Sequence, residues 1–180
     1  MELRERSDDH LNAVVNALRR IIQALRLSSS AVHDALGITG AQLFVLQQLA
    51  ARPGASLRQL ADATLTDQSS VSVVVSRLVA AGHVVRRTSA ADGRRTELTL
   101  SDRGRALLRR APRLAQTRLM ASLRRVPAAQ LRITARVLER AARAVSPART
   151  PAPMFFEPPA AGRRGEDRKM GPRSGRGRTR

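Results

Sequence analysis

The chain has 180 residues, room for one domain of ordinary size and a tail, and its only aromatic rings are three phenylalanines. A formal net charge of +19, from 33 basic and 14 acidic residues, points to a polyanionic partner rather than to any one fold. The absence of cysteine excludes disulfides, thiolate metal sites and thiol redox sensing, while His10, His33 and His83 lie too far apart in sequence to suggest a metal site.

Asp8 to Leu36 reads as a long helix. Leu11, Val14, Val15, Leu18, Ile21, Ile22 and Leu25 keep a helical stripe, and Arg19, Arg20 and Arg26 fall off it. At the helical rise such an element runs to roughly 45 Å, longer than a small domain needs. Part of its stripe is therefore expected to pack outside its own subunit. Gly37 ends it. Thr39 and Gln42 have the spacing of a capping box, and a second helix through Leu43, Phe44, Leu46, Gln47 and Leu49 runs up to Arg52-Pro53-Gly54. Ser56 and Gln59 repeat the box before a short helix with Leu57, Leu60 and Ala61 on one face.

Thr66 or Asp67 caps the next helix, in which Val71, Val74, Val75, Leu78 and Val79 recur at amphipathic spacing. Its other side shows Gln68, Ser69, Ser72, Val73 and Ser76, small and almost uncharged. A wet helix face usually carries charges; this one suits close approach to a surface rich in donors and acceptors. Val73-Val74-Val75 is strand-like by local propensity, but the cap before it and Leu78-Val79 after it override that preference. Val84–Thr88 and Thr96–Leu100 read as two strands around an Asp92-Gly93 turn, the second with Leu98 and Leu100 on one face.

Ser101 caps a further helix whose apolar side comprises Leu107, Leu108, Ala111, Leu114 and the stem of Arg118, and Pro112 within it should cost a backbone bond or bend it. Pro127 suits the first turn of a last helix lined by Leu131, Thr134, Val137, Leu138, Ala141 and Val145. From Ser146 the pattern stops, and residues 146–180, rich in Pro, Gly and Arg, are expected to form a disordered basic tail. No apolar run reaches membrane-spanning length, and MELRERSDDH lacks the apolar core of a signal peptide, so the expected location is cytoplasmic. The expected fold class is mainly α with a small β-hairpin wing (α+β): a helix-turn-helix and wing between long terminal helices.

Two stretches, SSVSVVVSRLVAAGHVVRR and DGRRTELTLSDRGRALL, resemble the MarR-type regulators (multiple antibiotic resistance repressors). Leu78 four before Gly82, with Arg77 ahead of it, is similar to the family's recognition-helix ending. Asp92-Gly93-Arg94, then Leu100-Ser101 and Gly104, is similar to its wing and the exit into the next helix; Ser101 stands in place of the usual threonine and keeps the cap. The resemblance spans about residues 8–145. It implies a winged helix-turn-helix domain over residues 1–145, with the DNA-binding part at about 39–100 and dimerisation helices at about 8–36 and 102–145. It further implies an obligate homodimer on a pseudo-palindromic double-stranded operator, with a small-molecule effector crevice between the dimerisation and DNA-binding regions.

On that resemblance Gln68, Ser69, Ser70, Ser72 and Ser76 are candidate major-groove contacts, with Ser56 in the same interface and Arg77 as a phosphate clamp. Val73 stands where the family often has a basic or polar reader, and would favour a thymine methyl. Arg86, Arg94 and Arg95 are candidate wing contacts, Arg94 reaching the minor groove and Asp92 holding it by a charge-assisted hydrogen bond. Arg26 and His33 are candidate effector contacts. The expected function is a dimeric, sequence-specific DNA-binding transcriptional regulator, a repressor released by a small-molecule ligand. The alternative is a low-specificity architectural DNA-binding protein, which Val73 and the arginine-rich tail would suit. Ser76, His83 and Asp92 are the residue types of a hydrolytic triad. No nucleophile turn, oxyanion hole or Gly-rich phosphate loop accompanies them, so neither an enzyme nor a cofactor is expected.

Overall fold

Local caps decide where most of the helices begin. The computed structural model describes residues 2–88, 96–146 and 154–155. The first helix, α1 (Glu2–Leu36), starts six residues earlier than the apolar stripe suggested and ends where Gly37 turns left-handed at φ 68°. α2 (Gly40–Ala51) opens on the expected box: the Gln42 amide donates to Thr39 Oγ1 at 3.1 Å, and the Thr39 amide to Gln42 Oε1 at 2.9 Å. Ser56 and Gln59 repeat this at 3.3 and 2.9 Å for α3 (Leu57–Thr64). Asp67, rather than Thr66, caps α4 (Gln68–Ala80).

β1 (Val84–Thr88) and β2 (Thr96–Leu100) pair antiparallel over the expected residues, Val84 opposite Leu100 and Thr88 opposite Thr96. A single bridge between Ala55 and Leu98 also ties the loop before α3 to this hairpin. The helix expected through Pro112 is two helices, α5 (Asp102–Arg109) and α6 (Ala115–Leu123), followed by α7 (Ala128–Val145). Proline has no N–H to offer and disfavours helical geometry in the residue before it, so the break falls here. Arg118 lies exposed on α6, outside the apolar side proposed for it. α6 has no local side-chain cap; instead Ser28 Oγ, on α1, accepts the Ala115 amide at 3.0 Å, and Thr117 Oγ1 donates to Gln47 Oε1 on α2 at 2.8 Å.

The core is built around α2. Leu43, Phe44, Val45, Leu46 and Leu49 are all buried, so this helix is covered round most of its circumference rather than along one stripe. Against it pack Val32, Ile38, Leu60, the inner valines of α4 (Val71, Val74, Val75), Leu78, Val84, Leu98 and Leu114. Full burial of such a side chain stabilises the fold by about 1.5–3 kcal/mol each. Met154 joins this cluster at 4% exposure, which corrects the expectation that the ordered chain stops at Ser146; the remainder of the predicted tail lies outside the described residues. The outer helices are different. Leu11, Val14, Leu18, Ile21 and Ile22 on α1 are exposed, as are Ile133, Val137 and Leu138 on α7, which buries no residue.

The end of α4, the start of β1 and the start of α5 meet at one knot. Ser101 Oγ donates to the Gly82 carbonyl at 2.7 Å and accepts the Gly104 amide at 3.0 Å, while the Ser101 amide donates to the His83 carbonyl at 3.0 Å. A Cβ on Gly104 would lie 2.2 Å from the His83 carbonyl oxygen, so only glycine lets α5 approach this closely. The His83 ring is buried here, and its Nδ1 has no hydrogen-bond partner among the described residues. Burial, and secondarily the charge of Arg103, push its pKa down.

Two outcomes follow from the knot. Gly104→Ala is expected to destabilise the chain by roughly 2–3 kcal/mol through overpacking against backbone, read by urea unfolding at fixed protomer concentration. For His83, the unfolded chain takes up a proton near the ordinary imidazole value of about 6.5, whereas the folded chain resists it. The stability from the neutral ring is therefore complete above that value and is lost as pH falls through it. His83→Leu should flatten this part of the stability–pH curve between about pH 8 and about pH 5; an unchanged slope would show that His83 does not set it.

Candidate nucleic-acid interface

α3 and α4 are joined by a three-residue turn in which Leu65 takes a left-handed conformation, φ 53° and ψ 43°. A side chain in this region costs about 1–2 kcal/mol. It is 68% exposed, so packing does not impose the conformation. The adjacent Thr66 amide reaches back to the Ala61 carbonyl at 3.1 Å, closing the end of α3. Asp67 then receives the Ser70 amide at 2.9 Å, the Ser70 hydroxyl at 2.6 Å and the Ser69 hydroxyl. These hydrogen bonds, that from the Ser69 hydroxyl foremost, hold the Asp67 carboxyl at about 2, well below its usual value.

The predicted serines thus divide. Ser69 and Ser70 spend their hydroxyl protons on the cap and keep only lone pairs for a partner. Ser72 and Ser76 stand one and two turns further along α4, half-buried and exposed respectively, with Gln68 exposed at the start and Val73 half-buried between them. Arg77, half-buried near the end of the helix, is the one charged residue of α4. Arg86 on β1 reaches across to α4, its Nη2 donating to Ser76 Oγ at 3.1 Å. The hairpin and the helix are thereby tied together on their outer side as well as through the core.

Ser56, Gln68, Ser72 and Arg86, four of the sequence-predicted contacts, line one open groove of about 430 Å³ between α3, α4 and the hairpin. Arg58 lines it too. Sequence reasoning missed Arg58, although a basic residue two positions after the Ser56 cap stands at the exposed start of a short helix. Val73, Ser76 and Arg77 do not line this groove. Asp92, Arg94 and Arg95, between the two strands in sequence, lie outside the described residues. Arg26 and His33 are exposed on α1 and are not among the groove's lining residues. Among the described residues, Ser76 Oγ accepts from Arg86 and no hydrogen bond of the kind a nucleophile needs joins Ser76 to His83.

A helix some 10–12 Å across with a small, polar, nearly uncharged outer face fits a B-DNA major groove about 12 Å wide. Arg58 and Arg86 stand at its sides, lining the same groove. Comparison with known proteins identifies the family. Residues 36–95 match the model of the MarR family. HTH-type transcriptional repressor Rv2887 of Mycobacterium tuberculosis is 34% identical over 123 residues, covering 68% of this chain and 88% of the relative. HTH-type transcriptional repressor Mb2911 of Mycobacterium bovis matches to the same extent. Among solved structures, the PcaV transcriptional regulator from Streptomyces coelicolor in complex with its natural ligand is similar at 29% identity and a TM-score of 0.48, covering 72% of this chain and 91% of that one. The Rv2887 protein in complex with p-aminosalicylic acid is similar at 32% identity and a TM-score of 0.44, covering 69% and 95%. The chain belongs to the MarR family of DNA-binding transcriptional regulators, which are not enzymes.

Proposed function

We propose that the protein acts as a homodimer on a pseudo-palindromic operator, represses from it, and releases it when a small ligand binds. The observation that carries the DNA-reading part is the polar face of α4, with Gln68, Ser72 and Ser76 outward and the hairpin locked to it through Arg86 and Ser76. In this reading Gln68 addresses a base edge with its amide, Ser69 and Ser70 accept from exocyclic amines, Ser72 and Ser76 hydrogen-bond beside them, and Val73 meets a thymine methyl. Ser56, Arg58, Arg77 and Arg86 take the backbone. Arg94 and Arg95, in the segment between the two strands, enter the minor groove, with Asp92 orienting Arg94.

The exposed apolar stripes of α1 and α7 support the dimer, because leaving Ile21, Ile22, Ile133 and Val137 in water forgoes their burial energy and a second copy restores it. Two-fold symmetry then sets two copies of α4 against half-sites about 34 Å apart, one turn of DNA. The basic segment beyond Phe155 adds sequence-independent affinity. Arg26 and His33 offer an exposed cation and a titratable ring on α1 to an acidic effector. No described helix is long and apolar enough to cross a membrane, and a regulator of this kind works in the cytoplasm beside its DNA.

The test is a titration of the purified chain against its own upstream intergenic DNA and random DNA of equal length, at two salt concentrations. The upstream DNA should bind roughly a thousandfold more tightly, with two protomers per site. Near-equal affinities would overturn the proposal in favour of an architectural DNA-binding protein. Two substitutions separate readers from clamps. Gln68→Ala should weaken operator binding by about 1–3 kcal/mol while leaving random DNA unchanged. Arg58→Ala should weaken both DNAs alike and reduce the salt slope by about one.

A further inference from the structure

A free serine hydroxyl is a weak reader of sequence. It carries one donor and two acceptor lone pairs, and turns to suit whichever base edge it meets. Ser69 and Ser70 are not free. Asp67 stands half-buried ahead of them as the cap of α4. Its Oδ1 receives the Ser70 amide at 2.9 Å and the Ser69 hydroxyl, and its Oδ2 receives the Ser70 hydroxyl at 2.6 Å. An ionised carboxylate has no proton to give, so in both hydroxyl contacts the serine is the donor. These bonds hold the carboxyl at about 2, and it stays ionised throughout the neutral range.

What each serine has left for a partner is its Oγ lone pairs. The base edges of the major groove offer donors only at N4 of cytosine and N6 of adenine; N7 and O6 of guanine, N7 of adenine and O4 of thymine all accept. Lone pairs set against a keto oxygen leave both groups unsatisfied where water is excluded. Ser76 shows the contrast: its Oγ accepts from Arg86 Nη2 at 3.1 Å, and its proton is not drawn to a carboxylate.

We propose that Asp67 is the positioning residue that sets the base preference at the start of α4. It makes Ser69 and Ser70 one-way acceptors, so the bases they meet must present an exocyclic amine, as adenine and cytosine do, and not a keto oxygen, a consequence that rests on the proposed reading of DNA by α4. The two carboxylate oxygens divide the task. In Asp67→Asn the side-chain oxygen keeps the Ser70 amide and the Ser69 hydroxyl, and the cap survives, because Asn and Asp cap helices about equally well. The amide nitrogen replaces Oδ2, donates to Ser70 Oγ and frees that hydroxyl's proton. The substitution therefore changes the polarity of Ser70 and leaves that of Ser69 as it was.

Selection of binding sites from a randomised duplex pool by the full chain, and by its Ser69→Ala, Ser70→Ala and Asp67→Asn variants, tests this. Loss of preference in each serine variant marks the base pair that serine meets. At both pairs the wild-type chain should favour the amine-bearing base by roughly tenfold or more, and should lose as much when adenine there is replaced by purine, which lacks the amine. In Asp67→Asn the preference at the Ser70 pair should fall to within about threefold while that at the Ser69 pair is kept. Loss of the negative charge raises affinity for every sequence alike, so the ratio between bases is the readout. A merely structural role for Asp67 would move neither ratio. The proposal is overturned by a wild-type ratio at the Ser70 pair in Asp67→Asn, by wild-type tolerance of the amine-free base, or by serine variants that select the wild-type site unchanged. A pool from which the wild-type chain enriches no site overturns the sequence-specific function as well, which tells the two failures apart.

Discussion

One hydroxyl group joins the end of α4 to the start of α5, where the core packing of α4 gives out. Ser101 Oγ is donor to the last turn beyond α4, through the Gly82 carbonyl, and acceptor at the start of α5, through the Gly104 amide. Gly82 contributes a left-handed turn at φ 73°, and Gly104 contributes the missing side chain that lets α5 lie against the His83 backbone. The direction of α4, the placement of the hairpin and the exit of α5 are thus set together at one point, and none of these residues needs to touch DNA. Their small size is a packing requirement.

Most of the secondary structure was legible because its signals are local. Capping boxes at Thr39 and Ser56, the alternation of Thr96–Leu100 and the valine spacing of α4 each involve residues within a few positions of one another, and all stand as read. What was illegible depends on distant partners. The cap of α6 comes from Ser28, 87 residues away, and no pattern near Ala115 announces it. Met154 sits among proline and alanine, where composition argues for disorder, yet a single large apolar side chain finds a place in the core. Of the candidate site, Ser56, Gln68, Ser72 and Arg86 were named from sequence and converge on one groove, whereas Arg58 was missed because a lone arginine at a helix start carries no motif. The diversion of Ser69 and Ser70 to Asp67 depends on which rotamers the cap selects, and composition does not encode that.

The helices also show one physical effect with two different partners. α2 hides most of its apolar surface within its own subunit, which is why its sequence reads as apolar nearly throughout. α1 and α7 are amphipathic to a similar purpose but leave their stripes open along most of their described length, with Leu25 and Val32 the buried hydrophobics of α1 among the described residues. Exposed isoleucines and valines repeated at helical spacing over many turns are stable in water only when something covers them. Since both stripes are apolar and belong to the same chain, a second copy meets the requirement with no further partner, and closed two-fold symmetry follows from such self-complementary surfaces.

Charge is distributed in a way that separates holding DNA from reading it. The chain as a whole is strongly basic, yet the outer face of α4 has almost no charge until Arg77, and its N-terminus carries the anionic Asp67. That carboxylate offsets the positive end of the helix dipole. A recognition face lined with arginines would be attracted to any duplex through phosphate neutralisation, raising affinity for every sequence alike. In the proposed reading, the arginines at the margins, on α3 and the hairpin, take the backbone and leave the face of α4 free of that sequence-independent attraction. The groups that meet base edges are then ones whose hydrogen bonds are satisfied by the right pattern and left unmade by the wrong one. Discrimination in this arrangement comes from the neutrality of α4 as much as from the identity of its serines, and a positive charge introduced on that face would trade specificity for affinity.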